Sequence, residues 1–379
     1  MQIVVNTRLL IENKLDGMGW FTYQTLKRIS QHHPEVHFVF LFDRDFSPEF
    51  IFADNVTPII LAPQARHPIL YYCWFQFSVK KILKKLKPDL FLSPDGFLVL
   101  GAKCKQLAVI HDINFLHYPK DVKWLSAYYY NYFFPRFAKI ATRIATVSEF
   151  SKQEISKHYQ ISPNRIDVVY NGINDFIRPS TELEKTEIKS RFTLGEDYFI
   201  HIGSLSPRKN ILNLVKAFSK FKSEKKSKMK LVLAGAGLWG LKEIHQIIDS
   251  EGLKGDVILT GRLSNEDLNL LLASSSALLL LSYYEGFGIP LIEAMQAEVP
   301  IICSNVSSLP EVVGEAAILV DPFNLDEIKN AMTKMLSDPL LRDNLIANAR
   351  LQKQKFSWNR SADLLWESMM KAVNSNSTV

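Results

Sequence analysis

The sequence has little of what would tie a protein to a bilayer, a structural metal or an oxidising compartment. Its three cysteines, Cys73, Cys104 and Cys303, are too scattered to form a metal-ligand motif. No apolar run approaches the ~18 residues that a membrane-spanning helix needs. We therefore predict a cytoplasmic protein with reduced thiols, no transmembrane helix and no structural metal.

Signals for secretion, repeats and disorder are also missing. Residues 1–6 lead directly into a short strand, where a secretory signal would have a basic flank and an apolar core. There is no tandem repeat or low-complexity tract, and a content of 47% hydrophobic and 22% charged residues is typical of globular proteins. At 379 residues the chain is long for one hydrophobic core, which predicts two domains.

Positive charge is concentrated in the first half of the chain. The formal net charge is +6, and the whole excess falls within residues 1–175. Much of it lies in Tyr71–Lys87, a predicted helix in which aromatic residues precede a lysine cluster. The cluster contains Lys80, Lys81, Lys84 and Lys85. Contact with an anionic membrane surface and a core helix with a solvated basic face both explain this pattern, whereas no nucleic-acid-binding module accompanies it.

Short apolar strands alternate with helical segments along the whole chain, which predicts parallel sheets covered by helices on both faces. In the first half, the strand candidates are Ile3–Asn6, His37–Phe42, Thr57–Leu61, Leu90–Ser93, Leu107–Ile110 and Ile144–Val147. In the second half, they are Tyr198–Ile202, Lys230–Ala234, Val257–Thr260, Ala277–Leu281, Ile301–Cys303 and Ala317–Val320. The two sets indicate an α/β protein with two Rossmann-like domains, joined by a linker at Asn174–Thr186.

The most informative stretch is Tyr283–Glu298. It places Glu285 and Glu293 on either side of a glycine loop that follows an apolar strand, and Pro290 suits the first position of the helix that this loop opens. Amides at such a helix N-terminus point outward and can bind phosphate or sugar oxygens. The amides in question are those of Phe287, Gly288 and Ile289. Two carboxylates beside this site are suited to accept hydrogen bonds from sugar hydroxyls.

A second element suited to an anion follows the strand that ends at Ile202. Gly203 permits a tight turn, and Arg208 with Lys209 can lie over a bound anion. The carboxyl end of a parallel strand is where such sheets bind ligands, so this basic pair is a candidate for binding.

The first half has comparable features. Gly17 and Gly19 form a glycine loop after the first strand, and His111 stands at the end of another strand, where a reacting group can be placed. We therefore treat these three residues as candidates for a site in the first domain.

One motif invites a different function. Gly235, Gly237 and Gly240 follow a strand and satisfy the G-x-G-x-x-G pattern of dinucleotide-binding proteins. A nicotinamide site also needs an acidic residue at the end of the next strand, which here ends in Thr260-Gly-Arg262, and the glycines follow the second strand of their domain. The sequence therefore argues against a dehydrogenase.

Together the motifs resemble those of the retaining glycosyltransferases of family 4, which have the GT-B architecture of two Rossmann-like domains facing across a cleft. The resemblance extends over nearly the whole chain, and its most specific part is the E-x7-E motif from Glu285 to Glu293. Supporting stretches are Gly203 with Arg208-Lys209, His111-Asp112, Thr146–Glu149, Ser308–Val312, Val320–Pro322 and Phe356–Trp358. The family often has arginine at the position of Trp20 and glycine at that of Glu298.

The resemblance also implies a domain organisation. Residues 1–175 would form the acceptor-binding domain and residues 176–355 the nucleotide-sugar-binding domain. Residues 356–379 would form a helix that crosses back to the first domain.

Individual roles follow from the same resemblance. Glu285 would contact the donor sugar and Glu293 the ribose, while Leu263 lies where the family holds the base. Arg208 and Lys209 would neutralise the diphosphate, whose charge grows as the leaving group departs. Because these cations and the helix dipole balance that charge, no metal or other cofactor is expected.

The first domain would contribute to both substrates. Gly17 and Gly19 would approach the phosphates with their amides. His111 would bond the sugar hydroxyl next to the hydroxymethyl group or orient the acceptor.

The expected reaction is transfer of a hexose from a nucleoside diphosphate sugar to a glycan or lipid-linked acceptor in bacterial surface polysaccharide synthesis. Mannose from GDP-mannose is the favoured donor, because the stretches that begin at His111 and Thr146 resemble those of bacterial mannosyltransferases. A UDP-hexose donor and a catalytically inactive binding subunit are the alternatives.

Overall fold

The computed structural model describes residues 1–237 and 240–375, which form two compact units. The first unit contains Met1–Gly172 together with the C-terminal segment from Ser357, and the second contains Ile173–Phe356. Each unit has its own parallel sheet and its own hydrophobic core.

The first unit is built on a seven-stranded parallel sheet, with the strand order β3-β2-β1-β4-β5-β6-β7. The strands are β1 (Gln2–Asn6), β2 (His37–Phe42), β3 (Val56–Ile60), β4 (Leu90–Ser93), β5 (Lys105–Val109), β6 (Arg143–Thr146) and β7 (Ile166–Val168). The α-helices are α1 (Gly17–His32), α2 (Pro68–Cys73), α3 (Lys80–Leu86), α4 (Asn114–His117), α5 (Trp124–Ile140) and α6 (Glu149–Tyr159). A π-helical segment, Trp74–Val79, joins α2 to α3, and short 3-10 helices lie at Pro48–Phe50, Pro119–Asp121 and Pro163–Arg165.

The second unit is built on a six-stranded parallel sheet, with the order β10-β9-β8-β11-β12-β13. The strands are β8 (Tyr198–Ile202), β9 (Lys230–Ala234), β10 (Val257–Gly261), β11 (Ala277–Leu280), β12 (Ile301–Ser304) and β13 (Ala317–Val320). The α-helices are α7 (Glu182–Thr193), α8 (Ile211–Lys225), α9 (Leu241–Ser250), α10 (Asn265–Ala273), α11 (Ile289–Gln296), α12 (Leu309–Val313), α13 (Leu325–Ser337) and α14 (Pro339–Gln352). Its 3-10 helices are Pro207–Lys209 and Lys353–Lys355.

The last helix, α15 (Trp358–Val373), belongs to the first unit. It packs against α1, where the Trp358 ring meets the Phe21 ring edge-on with centroids 6.4 Å apart. Ser361 Oγ donates a hydrogen bond to the Tyr170 carbonyl at 2.5 Å. A side chain at Gly172 would come within 2.3 Å of the Trp358 amide nitrogen, so glycine is required for this close approach.

The central strands are mostly apolar and are buried on both faces. All residues of β4, β8, β11 and β12 are buried, as is typical of parallel strands covered by helices on both sides. All twelve predicted strands are present, with ends that differ from the prediction by at most two residues. β7 was missed, because a strand of three residues that contains Asp167 has no apolar run.

The predicted linker Asn174–Thr186 is wrong in its second half. Helix α7 begins at Glu182, and its N-cap Thr181 accepts a hydrogen bond from the Glu184 amide while the Glu184 carboxylate accepts one from the Thr181 amide. This capping box gives the Thr181 and Glu184 amides hydrogen-bond partners, so the polar residues mark a helix start.

The first of the dinucleotide-like glycines, Gly235, has a packing role. A Cβ at Gly235 would lie 1.8 Å from the Gly203 carbonyl oxygen, so the backbones that leave β8 and β9 touch. The Gly203 amide donates to the Ala234 carbonyl at 2.9 Å, and the Gly235 amide donates to the Gly261 carbonyl at 3.0 Å. Gly235 thus positions the Gly203 loop, while Leu238 and Trp239 of the same motif lie outside the described residues.

Within residues 1–237 and 240–375, no helix combines the length and the apolar character that crossing a bilayer requires.

Candidate functional site

Two loops at the carboxyl ends of neighbouring strands bring three charged side chains together in the second unit. Arg208 and Lys209 follow β8, and Glu285 follows β11, which pairs with β8. Arg208 Nη1 lies 2.6 Å from Glu285 Oε2, and the Lys209 ammonium donates to Glu285 Oε1. Both Lys209 and Glu285 are buried. The sheet thus places one carboxylate between two cations.

The backbone also joins these two loops. The Tyr283 amide donates to the Arg208 carbonyl at 3.1 Å, and Arg208 Nη1 donates to the Tyr284 carbonyl at 2.6 Å. Asn210, in the left-handed conformation at φ 58°, donates from its side chain to the Pro322 carbonyl at 2.6 Å. The basic loop is therefore held at both ends before any ligand binds.

The charges decide the ionisation of Glu285. Burial alone would raise the pKa of this carboxyl, but the positive charges of Arg208 and Lys209 outweigh it and lower the pKa to about 2. Glu285 is therefore ionised at every pH at which the protein would work. One anion between two cations leaves a net charge of one positive unit, which suits the binding of a further anion.

Two serines that the sequence analysis left without a role support Glu285. Its amide donates to Ser307 Oγ at 3.1 Å, and Ser308 Oγ donates to the carbonyls of Glu285 at 2.9 Å and Phe287 at 3.2 Å. Ser308 directly precedes α12, and its place before Leu309-Pro310 is a sequence signal for a helix start. That signal indicates a cap, but not that the hydroxyl would bond to a distant loop.

Glu293 lies in a different environment, inside α11. The helix begins at Ile289, so Pro290 occupies the second helical position and the predicted first position is wrong by one residue. Gly288 adopts φ 99°, and a Cβ there would come within 2.8 Å of the Leu309 side chain.

Burial raises the pKa of Glu293 to about 7, against the opposing effect of a hydrogen bond from the Asn174 side chain. The two motif glutamates thus differ in charge state near neutral pH.

His201 is a buried neighbour of the charged cluster that the sequence analysis missed. Its Nδ1 donates to the Leu279 carbonyl at 3.0 Å, while its Nε2 has no hydrogen-bond partner among the described residues. Burial, and then the charge of Lys209, lower the pKa of His201 to about 4, so the imidazole is neutral. A buried, uncharged histidine in the middle of an apolar strand reads as a core residue, which is why the pattern did not reveal it.

The remaining candidates of this unit lie at the same edge of the sheet. Gly203 has φ 144°, and a Cβ there would stand 3.3 Å from Lys209 Cε, so a larger residue would crowd the lysine. Leu263 follows β10 and is partly exposed. Phe287 is buried and its ring meets the Phe356 ring edge-on at 5.6 Å between centroids.

The first unit carries its own group of candidates. His111 follows β5, where its Nε2 lies 2.9 Å from the Pro94 carbonyl oxygen and its ring meets the Phe21 ring at 5.1 Å between centroids. Burial lowers the pKa of His111, against the opposing effect of the Pro94 carbonyl. Gly17 begins α1, and the Gly19 amide donates to the N-cap carboxylate of Asp16 at 2.9 Å. A phosphate at the Gly19 amide would have to displace Asp16.

Some aromatic residues of the basic stretch Tyr71–Lys87 belong to the hydrophobic core. Trp74 and Phe75 are fully buried, and Trp74 Nε1 donates to the Leu61 carbonyl at 2.8 Å. Tyr72 and Phe77 are exposed, as are three aromatic residues of α5. We call these side chains, together with Lys81, Lys84 and Lys85 of α3, the aromatic-basic surface. Its aromatic members are Tyr72, Phe77, Trp124, Tyr128 and Tyr132.

Two family models match the chain. Residues 15–175 match the model described as Glycosyltransferase Family 4, and residues 184–352 match the model described as Glycosyl transferases group 1. The second match contains Glu285, Glu293 and the Arg208-Lys209 pair.

Alignments with similar proteins cover almost the full chain. O-antigen chain mannosyltransferase B of Escherichia coli is 27% identical over 364 residues, which are 92% of this chain and 94% of that protein. Sucrose-phosphate synthase from Thermosynechococcus elongatus aligns with a TM-score of 0.76 at 17% identity, over 98% of this chain and 99% of that one. The Anabaena protein HepE, solved in complex with UDP-glucose, aligns with a TM-score of 0.74 at 18% identity, over 98% and 100%.

These solved structures share the fold of the chain. Together with the two parallel sheets and the C-terminal helix, they confirm the predicted GT-B fold. The two family models and the similarity to the mannosyltransferase show that the chain belongs to the glycosyltransferases, with a family 4 domain followed by a group 1 domain.

Proposed function

We propose that this protein is a retaining, metal-independent hexosyltransferase that takes its sugar from a nucleoside diphosphate and transfers it to a glycan or lipid-linked oligosaccharide of the cell surface. The observation that carries the proposal is Glu285 buried between Arg208 and Lys209 at the carboxyl edge of the second sheet. A cation pair balanced by one carboxylate fits a diphosphate that is joined to a sugar.

The two cations would act on the leaving group. As the bond between the sugar and the diphosphate breaks, negative charge grows on the phosphate oxygens, and Arg208 and Lys209 stabilise it. Arg208 is held by the Tyr284 carbonyl and Lys209 by Glu285, so the cations are oriented before the donor binds. This preorganisation lowers the cost of stabilising the transition state.

Glu285 would contact the donor sugar. Its pKa of about 2 keeps it ionised, and an ionised carboxylate accepts hydrogen bonds from sugar hydroxyls without donating any. Glu293 would hold the ribose and Leu263 would lie against the base, which places the nucleoside along the ends of β10 and β11. The amides of Gly288 and Ile289, at the start of α11, would add donors for phosphate oxygens.

Mannose from GDP-mannose is the proposed donor. Support comes from the similarity over 92% of this chain to a protein named as an O-antigen chain mannosyltransferase. A UDP-hexose is the second candidate, because the HepE structure was solved with UDP-glucose. A catalytically inactive subunit would have no need to keep Glu285 between two cations, so the cluster favours an enzyme.

The first unit is proposed to bind the acceptor. His111 is held by the Pro94 carbonyl, and its lowered pKa keeps the imidazole neutral and able to take part in hydrogen bonds with a hydroxyl. The Gly17 amide at the start of α1 is a candidate for a donor phosphate, whereas the Gly19 amide already serves Asp16.

We also propose that the aromatic-basic surface docks on anionic lipid. Ring contacts connect four of its aromatic members. Tyr72 packs against Phe77 at 5.9 Å and Tyr128 stacks on Tyr132 at 6.3 Å between centroids, and the Phe133 ring contacts both Tyr72, at 5.7 Å, and Tyr132, at 4.9 Å. Trp124 is 79% exposed, which is unusual for so large an apolar side chain. Exposed lysines together with exposed tryptophan and tyrosine are the composition of a surface that lies in a lipid interface.

Glu285→Gln should reduce hexose transfer by about a hundredfold or more, since a charged acceptor of a preorganised site becomes a neutral one of the same shape. Initial rates with GDP-mannose and with UDP-glucose, measured in EDTA, test this expectation. Glu243→Gln on the exposed face of α9 is the matched control and should leave the rate unchanged.

Transfer by Glu285→Gln within about threefold of the unmodified protein, less than 1 kcal/mol, would remove Glu285 from the site. If EDTA abolishes the rate and Mg²⁺ restores it, the proposed metal independence is wrong. If neither donor is used by folded, unmodified protein, the inactive-subunit alternative is favoured.

Glu293→Gln should make the protein more stable at pH 8 and weaken nucleotide binding. The raised pKa means that folding keeps this carboxyl neutral while the unfolded chain ionises, so stability is lost as the pH rises from 4.5 to about 7. Glutamine removes this loss, with a gain on the order of 1–3 kcal/mol at pH 8 and almost none at pH 4.

Thermal melting at the two pH values and calorimetric titration with GDP measure both effects. A variant that melts at or below the unmodified protein at pH 8 would contradict the unfavourable ionisation. Unchanged GDP affinity would show that Glu293 does not hold the ribose.

Replacing Lys81, Lys84 and Lys85 by glutamine should weaken sedimentation with anionic vesicles, because each basic residue near such a surface contributes about 1 kcal/mol. The loss should disappear at high salt, where screening removes the contribution from the unmodified protein too. Lys80 is left in place because its Nζ donates to the Leu100 carbonyl at 2.8 Å.

A second variant, Trp124→Ala with Tyr128→Ala, should lose the part of vesicle binding that persists at high salt. The control replaces Lys225, Lys226 and Lys228 of the second unit and should bind vesicles as the unmodified protein does. Failure of the unmodified protein to sediment with anionic vesicles would refute membrane docking through this surface.

A further inference from the structure

Three metal-ligating side chains meet on the first unit, and none of them is among the residues assigned above. They are His117 at the end of α4 and Glu154 and His158 on α6, and their donor atoms all lie within 4.8 Å of one another. None of the three belongs to a motif that the glycosyltransferase function uses. The proposed sugar transfer therefore does not account for this cluster.

Helix α6 creates two of the three positions. Glu154 and His158 are four residues apart and so lie on one face of the helix, one turn apart. The adjacent positions Ile155 and Tyr159 are buried in the core and fix the rotation of the helix. Ser148 caps its N-terminus by accepting a hydrogen bond from the Ser151 amide at 3.0 Å. The pair is thus presented on a rigid element.

The third side chain approaches the same carboxylate from another element. His117 Nε2 lies 2.5 Å from Glu154 Oε2, and His158 Nε2 lies 3.7 Å from the same oxygen. The two imidazole rings are nearly perpendicular, at 86°, with centroids 4.9 Å apart. Both ring nitrogens therefore converge on one point beside Glu154.

These separations are close to those of a zinc site. With zinc-ligand bonds of ~2.0–2.2 Å, tetrahedral ligand atoms lie about 3.3–3.6 Å apart. The His158–Glu154 separation of 3.7 Å is already close to this range, and rotation of the side chains would have to open the His117–Glu154 separation of 2.5 Å by about 1 Å. Their side chains are 28%, 17% and 29% exposed for His117, Glu154 and His158, which leaves room for a water at the fourth position. Ligation requires the imidazoles to be neutral, so the three ligands together would supply one negative charge to a dication.

We propose that His117, Glu154 and His158 bind one Zn²⁺ ion. Imidazole nitrogen selects zinc over the hard ions Mg²⁺ and Ca²⁺, which prefer all-oxygen sites. The ion would connect α4 to α6 and so brace the segment that follows β5. Ser151 Oγ on α6 already donates to the His111 carbonyl at 3.1 Å, so a fixed α6 also steadies the residue that follows β5.

The test is calorimetric titration of the full, untagged chain with ZnCl₂ after removal of metals by EDTA and dialysis. We expect one ion per chain and a melting temperature that rises with zinc, since a ligand bound only by the folded state stabilises it. His158→Ala and Glu154→Gln should each weaken zinc binding at least tenfold. His245→Ala, an exposed histidine on α9, is the control and should bind as the unmodified protein does.

The proposal is overturned if His117→Ala/His158→Ala binds zinc as tightly as the unmodified protein, or if the unmodified protein takes up no zinc. In either case Glu154 and the two histidines form an ordinary surface ion pair. MgCl₂ in place of ZnCl₂ should produce no heat of binding and no thermal shift, and saturable magnesium binding that these variants remove would equally overturn the assignment. Binding and melting do not depend on sugar transfer, so these results stand apart from the proposed function.

Discussion

The site depends on one buried electrostatic arrangement, the Glu285 carboxylate between Arg208 and Lys209. Each charge would be costly to bury alone, so each requires the others, and breaking such a set typically costs about 3–5 kcal/mol. The arrangement keeps Glu285 ionised with a pKa of about 2 and leaves one positive charge to spare. The charges that would bind a diphosphate sugar are therefore already in place in the protein without donor.

Backbone packing makes that arrangement possible. Gly235 lets the ends of β8 and β9 touch, and the contact seats the Gly203 loop that leads to the two cations. Ser307 and Ser308 hold the Glu285 loop from the other side through its amide and carbonyls. Gly235, the first glycine of the dinucleotide-like motif, thus supports the loop that carries Arg208 and Lys209.

Much of this could be predicted from the sequence, because the signals are local. Apolar runs predict the strands, and Glu285 with Arg208-Lys209 follows from chemistry at strand ends. What the sequence left open or missed depends on distant contacts. It left open whether Trp74 and Phe75 belong to the core, where the fold places them, and it gave no sign that His201 faces the cluster or that Trp124 is exposed. No pattern within one segment reports which neighbour covers a side chain, so these required the fold.

The most direct test of the central claim is how strongly the second phosphate contributes to nucleotide binding, measured by calorimetry with GDP and GMP, or with UDP and UMP if those bind more tightly. The account predicts that the diphosphate binds at least tenfold more tightly to the unmodified protein, about 1.4 kcal/mol. Lys209→Ala should abolish most of that difference, whereas Lys226→Ala, at the exposed C-cap of α8, should keep it. Equal affinity for mono- and diphosphate in the unmodified protein, or a difference that survives in Lys209→Ala, would contradict the account.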